Sequence, residues 1–503
     1  MLLDHSRAYI ETLFAHDIFK SVDTSLFDDR IELLNDICAF NSLHKQDDMK
    51  ELESFIIESI PTNGLKLTKA GNYSFAHDLV WKPQKDGAAI TIEHSNITLD
   101  LNGFTLKIDN KDATRQIVGI HVAHPTTNLI LFQLHHAVEH TLIKNGRILG
   151  SGKSGVLAEY VSNIRLENLR IEKIRYVNLK TKNASPAGIH ITHAENLELV
   201  KCTVSDLQVT SSSCAGIQLI ETKNGTITDC TMENFVNEDG STQGYSYIFS
   251  SYLNSKGCKA RNFKSHYKGK TKTLGHTVIG YCPWLASQLT FENCTAIGMT
   301  GCCDDCHGMS IFLASHVKVI NFEARDILDG AGPAETGAKA TGLEVYGIDV
   351  HVSNSRVENI KAIVPQDLQS TGFSAWGADI TFTNCTATEV HVIDPKLIPN
   401  TKYGYGTGFG WAPDPRVEFR MIPAYKVTYD ACKAVNCQVA FDTWYHVDSL
   451  WKDNIDEDKC GISILVQEYG QRTLRGDKCS ECPKPFSVKL TNMAKGNSYP
   501  DLD

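Results

Sequence analysis

The sequence lacks any run of eighteen apolar residues, so no segment is long enough to cross a membrane as a helix. It lacks a basic tract as well: 49 Lys and Arg stand against 59 Asp and Glu, a net charge of -10, and nucleic acid is not an expected partner. No nucleotide-cofactor motif is present. The opening MLLDHSRAYIETLFAHDIFKSVD carries acids and histidines where a secretory signal has a basic flank and an unbroken apolar segment, so the expected location is cytoplasmic. In a reducing compartment the 16 cysteines do not call for disulfides.

What the chain does have is a repeat. Residues 307–327, HGMSIFLASHVKVINFEARDI, show a pattern that recurs about once every thirty residues from about 88 to 450. Other copies are AGIHITHAENLELVKCTVSDL from Ala187, AGIQLIETKNGTITDCTMENF from Ala215, HTVIGYCPWLASQLTFENCTAIGM from His276 and TGFSAWGADITFTNCTATEV from Thr371. Each holds three short runs of period-two alternation, so each reads as a coil of three strands with one face inward. Such units bury their apolar faces only by stacking, which pairs every strand in parallel with its equivalent one coil away. The expected fold is an all-β solenoid, a parallel β-helix of about ten to twelve coils, with right-handed crossovers.

Cysteine supplies an internal check. Cys202, Cys230, Cys294, Cys385 and Cys432 each follow an inward apolar position by three residues, which predicts a ladder inside one corner, core and not chemistry. Asp229, Asn293 and Asn384 precede three of them and favour the turn. Residues 4–60 show helical spacing at Ile10, Leu13, Phe14 and Ile18 and again at Met49, Leu52, Phe55 and Ile56. The expected division is a helical cap over 1–62, a β-helix over 63–450 and an extension over 451–503 that covers or flanks it. The cap would protect an open sheet edge; a homo-oligomer interface through these helices is the alternative. Cys460, Cys479 and Cys482 are three possible zinc ligands without an evident fourth.

The repeat, with the opening GNYSFAHDLVWKPQKDGAAITIEHSNITLDLNGFTL of residues 71–104, resembles the right-handed parallel β-helix superfamily that includes pectate lyases and polygalacturonases. The resemblance implies that chemistry lies on the outer face of the first strand of each coil and on the loops leading into it. With Val278, Met309, Leu343, Phe373, Phe409 and Phe441 taken as inward, one outward column reads Ile279, Ser310, Glu344, Ser374, Gly410 and Asp442. The next reads Tyr281, Phe312, Tyr346, Trp376, Ala412 and Trp444, an aromatic file suited to sugar rings and flat apolar ligands alike. His276 and His307 share a position on neighbouring coils, and Asp304, Asp305 and Cys306 precede the second. In polygalacturonase-like glycosidases a paired Asp precedes such a strand and His-Gly the strand of the following coil. Asp304-Asp305 and His307-Gly308 are similar to both, compressed into one coil, and Asn237-Glu238-Asp239 echoes the family's Asn-Thr-Asp. On this alignment the strand face carries no outward Arg or Lys.

These residues lead to three expectations. The first is an enzyme acting on a carbohydrate or uronate-like ligand (lyase, epimerase or hydrolase), with His276 or His307 moving the proton, Asp305 and Glu344 as partner carboxylates, and Tyr281, Ser310, Phe312, Tyr346, Ser374, Trp376, Asp442 and Trp444 lining the groove. The second is a cyclase, isomerase or dehydratase that encloses a small, partly apolar metabolite, with a divalent metal on His276, His307, Asp304 or Cys306 as an option. The third is a non-catalytic binding scaffold. His121 and His190 also share an outward column on the N-terminal coils, either as a second site or as a relic of repetition.

Overall fold

The computed structural model describes residues 52–123, 138–177, 185–211, 213–238, 240–265, 277–301, 305–330, 339–363, 370–393, 406–410, 424–443, 446–457, 460, 462–465 and 488–491. Every strand ladder in it is parallel, which follows from repetition: equivalent strands of successive coils run the same way. In the first sheet Leu65–Leu67 pairs with Gly87–Ile92, and the file continues through Ile117–Val122, Ser154–Glu172, Ala187–Val200, Ser213–Ile220 and Ser241–Ile248. It goes on through Val278–Trp284, Asp305–Ile320, Lys339–Ser353, Ser370–Thr383, Gly406–Gly410 and Val439–Asp442 to Ile462–Leu465. Thirteen successive pairings make fourteen strands, more than the ten to twelve coils expected, and at about 4.8 Å per step the file is about 62 Å long. Two further ladders complete each coil, for example Lys223–Thr228 on Ser251–Lys256 and Thr231–Asn237 on Lys259–Ser265.

The core runs down the axis as files of like residues. Tyr245 stacks on Tyr281 at 4.7 Å, and Phe373, Phe409 and Phe441 stack at 5.0 and 5.4 Å. The cysteine ladder stands where the spacing put it, with Cys258 added. All six thiols are buried, and each Sγ donates to a backbone carbonyl, as Cys202 does to Leu166 at 3.5 Å. Asp229, Asn293 and Asn384 take φ of 52°, 54° and 52°, the left-handed turn conformation Asn and Asp tolerate best.

A glycine file, which includes Gly280, Gly308, Gly342, Gly372 and Gly408, bends the first strand inward at each coil. A Cβ on Gly308 would stand 2.5 Å from the Gly342 carbonyl oxygen and 2.6 Å from Ala324 Cβ. Gly308 is therefore a packing requirement that recurs on coils with no histidine before them, so the His-Gly dipeptide is half fold and only half chemistry.

Two expectations about the ends are corrected. Ser54–Ile57, inside the stretch read as helical, is a strand paired with Gly71–Phe75, because the open edge of the solenoid offers its backbone a ladder. The rest of the expected cap lies outside the described residues. The coil pattern also does not stop at 450: Ser449–Lys452, Ile455–Glu457, Ile462–Leu465 and Val488–Thr491 extend all three ladders. No described helix is long and apolar enough to cross a membrane.

Candidate functional site

The first sheet carries one outward face along its whole file of strands. The outward residues of that face stand in registered columns. Asp305 faces Lys339; His307 faces Thr341, which faces Thr371 and then Thr407; Ser310 faces Glu344, which faces Ser374; Phe312 faces Tyr346, which faces Trp376.

His307 is the centre. Its imidazole is almost wholly buried, with Nε2 3.9 Å from Asp305 Oδ1 and Nδ1 3.7 Å from Glu344 Oε2, ion-pair distances on both sides. Ser310 Oγ donates to Glu344 Oε2 at 3.0 Å and Lys339 Nζ donates to Glu344 Oε1. Lys339 precedes Glu344 on the same strand and reaches it on the outward face, its Nζ 5.1 Å from the Trp376 ring and its backbone N–H donating to Asp329 Oδ2 at 2.8 Å. Burial by itself pushes the Glu344 carboxyl up; the Lys339 ammonium, His307 and the Ser310 hydroxyl outweigh it and hold the group below its ordinary value. A buried ion pair adds little to stability over apolar residues of equal size, so this one needs another reason to exist. A histidine between two carboxylates, one locked as the anion, is an arrangement for moving protons near neutral pH.

Beside this cluster runs the aromatic file. Trp284 faces Phe312 in register, Phe312 meets Tyr346 edge-on at 5.1 Å, and Tyr346 meets Trp376 at 5.6 Å. Trp284 and Phe312 are 42% and 38% exposed, which leaves ring faces open to a ligand. Trp376 Nε1 donates to Ser374 Oγ at 3.2 Å, which ties Ser374 to the same group. Burial pushes the Tyr346 hydroxyl up to about 12, so it is a proton donor and not a base. The register against the next coil shifts between Phe312 and Ala314, a bulge beside the site.

Several expected residues fall elsewhere. Tyr281 is in the core, fully buried with its hydroxyl donating to the Cys258 carbonyl at 2.6 Å; it is in register with Met309, three residues on from the alignment the sequence suggested. Its place on the outward face belongs to Trp284, and that of Ile279 beside Ser310 belongs to Cys282. Cys306 is also inward and wholly buried, since it alternates with outward His307, and it cannot share a metal with that imidazole. Asp442 is buried on the same column three coils from Glu344, roughly 14 Å away, too far to act with it. His276, Asp304 and Trp444 lie outside the described residues. Among the described residues no three His, Cys, Asp or Glu are gathered as metal ligands. Lys339 was missed; aligning the glycines (Gly280, Gly308, Gly342) instead of the apolar residues after them finds Lys339, Trp284 and Cys282 together.

No protein-family model matches the chain, and a comparison with curated proteins finds no match. Among solved structures, the chain is similar to a tailspike protein of an E. coli bacteriophage at 11% identity, with 84% of this chain and 73% of that one covered and a TM-score of 0.46. It is similar to the catalytic domain of an alpha-1,3-glucanase at 10% identity, with 89% and 71% covered and a TM-score of 0.41. The A-module of a mannuronan C-5 epimerase from Azotobacter vinelandii follows at 9% identity, with 68% and 85% covered and a TM-score of 0.32. These are likenesses of chain path.

Proposed function

We propose that the outward face of the first sheet is the active site of a carbohydrate-active enzyme, and that His307 moves the proton in an acid–base reaction on a saccharide. The observation that carries this reading is the buried His307 set between Asp305 and Glu344, with Lys339 clamping Glu344 and the Trp284, Phe312, Tyr346 and Trp376 rings alongside. Glu344, held as the anion, orients the imidazole and stabilises its protonated form; Asp305 on the other ring nitrogen does the same from the entry side. A base that takes a proton from a sugar carbon becomes an imidazolium, and two flanking carboxylates lower the cost of that charge. The same group returns a proton to the leaving oxygen in an elimination, whereas an epimerisation needs a second acid to deliver the proton to the opposite face of the carbon. Sugar rings stack on the aromatic file while their hydroxyls reach Ser310, Thr341 and Ser374.

The test is a panel of uronate oligosaccharides and neutral glycans, read for unsaturated product, for new reducing ends and for inverted configuration. Turnover on one of them should fall about 10²- to 10⁴-fold in His307→Ala. A panel with no turnover at all, or a fully active His307→Ala, would sink the reading.

A further inference from the structure

The N-terminal coils of the same face carry a second group of polar side chains that the His307 cluster does not use. Following the column of Glu344 and Ser310 backwards leads through Cys282 to Ser246, Gln218, His190, Leu157 and His121, each in register with the next. His121 Nε2 lies 2.7 Å from Glu159 Oε2, and this hydrogen bond holds the Glu159 carboxyl below its ordinary value. On the three coils that follow, one polar atom per coil is buried without a hydrogen-bond partner: His190 Nδ1, Gln218 Oε1 and Ser246 Oγ. Each such atom costs about 1–3 kcal/mol when left unpaired, and these three stand in a file about 4.8 Å apart, open to pairing by one extended ligand.

We propose that His121, Glu159, His190, Gln218 and Ser246 form a second binding site, and that it takes a neutral polyhydroxylated ligand, a sugar ring without a carboxylate. Glu159 and Lys153, which both act on His190, carry opposite charges and leave no net charge for an ionic ligand to pair with. Burial lowers the His190 imidazole to about 4, so it is neutral at neutral pH and offers one donor and one acceptor. An apolar ligand would leave the three atoms as unpaired as before. Hydroxyls, which donate and accept at once, pair with the amide oxygen, the imidazole and the hydroxyl in turn. At the edge of the same coils Tyr160 stacks on His193 at 4.4 Å, a further flat surface beside the floor.

Gln218 and Glu344 are four coils apart, roughly 19 Å, beyond the reach of a mono- or disaccharide. The ring bound here is thus either a free sugar or the far, neutral end of a chain whose reacting residue sits at His307. The site does not depend on turnover at His307 and stands or falls separately from it.

The experiment titrates the full chain with neutral gluco- and manno-oligosaccharides of graded length, and with galacturonate oligomers for contrast, by calorimetry and by histidine side-chain NMR. Neutral sugars should bind and perturb the His121 and His190 resonances, with affinity at least tenfold weaker in a Gln218→Leu, Ser246→Ala double variant and unchanged for short sugars in His307→Asn. Binding of mono- and disaccharides assigns the site to a free sugar; binding of long chains alone assigns it to the far end of one substrate. Because the variant removes unpaired polar atoms, its melting temperature should equal or exceed that of the wild type. Failure of all neutral sugars to bind, tighter binding of galacturonate at these residues, undiminished affinity in the double variant, or a less stable variant would each overturn the proposal.

Discussion

At the scale of single residues, the Lys339–Glu344 pair separates function from stability. Glu344→Gln leaves the Lys339 ammonium buried without its counter-charge and should cost about 3–5 kcal/mol, whereas a Lys339→Met, Glu344→Leu double variant should be close to wild type in stability or above it. Both should lose turnover, so denaturant melts beside assays distinguish a site from a staple. The pH dependence has a definite sign. The Glu344 carboxyl titrates below its ordinary value of 4.5 in the folded chain, so its stabilisation is complete above that value and is lost as pH falls through the depressed one. The stability gap between wild type and Glu344→Gln should accordingly be full at neutral pH and close in acid; a gap that grows in acid would show that some other group holds Lys339.

At the scale of elements, the first strand of each coil does two jobs with alternate side chains. Its inward glycine file sets how near successive coils approach, and Gly308→Ala should cost about 1–3 kcal/mol by overpacking against the Gly342 carbonyl and Ala324. Lys318→Ala, an exposed position on the same coil, should change stability by no more than about 0.5 kcal/mol, and equal melting curves for the two would refute the packing argument. Its outward aromatic file should act on binding. Phe312→Ala is expected to raise KM about tenfold with kcat little changed, while Trp376→Ala, which also removes the ring under Lys339, should lower kcat as well. The sequence shows the aromatic file displaced by three residues on the coil of Val278, because Val278 and Tyr281 are both inward and either can be aligned with Met309. Only the strand pairing decides between them, and it moves Tyr281 into the core and Trp284 onto the face.

At the scale of the whole molecule, a stack in which each coil touches only its neighbours should lose structure from its ends. Backbone amides in Ser213–Ile220 and Val278–Trp284, flanked on both sides, should exchange with solvent more slowly than those in Leu65–Leu67 and Ile462–Leu465. Uniform exchange across these strands would mean that the molecule opens only as a unit. The same stacking explains the location of the sites. Both the His307 cluster and the His121–Ser246 floor lie on the outward face of the first sheet, several rungs apart, because equivalent positions of successive coils fall in one column.

The sequence alone determined the parallel β-helix, because a coil that repeats must pair with its own copies, and period-two alternation says which side chains are inside. It determined the cysteine ladder for the same reason, and it placed His307, Asp305 and Glu344 within one step of each other. Tertiary structure alone decided what these residues do to one another. Lys339 reaches Glu344 along the outward face of their own strand, Cys306 turns away from His307, and Ser54–Ile57 joins a ladder where its local pattern suggested a helix. Each of these depends on which face a residue takes or which strand it pairs with, and both depend on register, which a periodic sequence leaves open to slips of a few residues at little local cost.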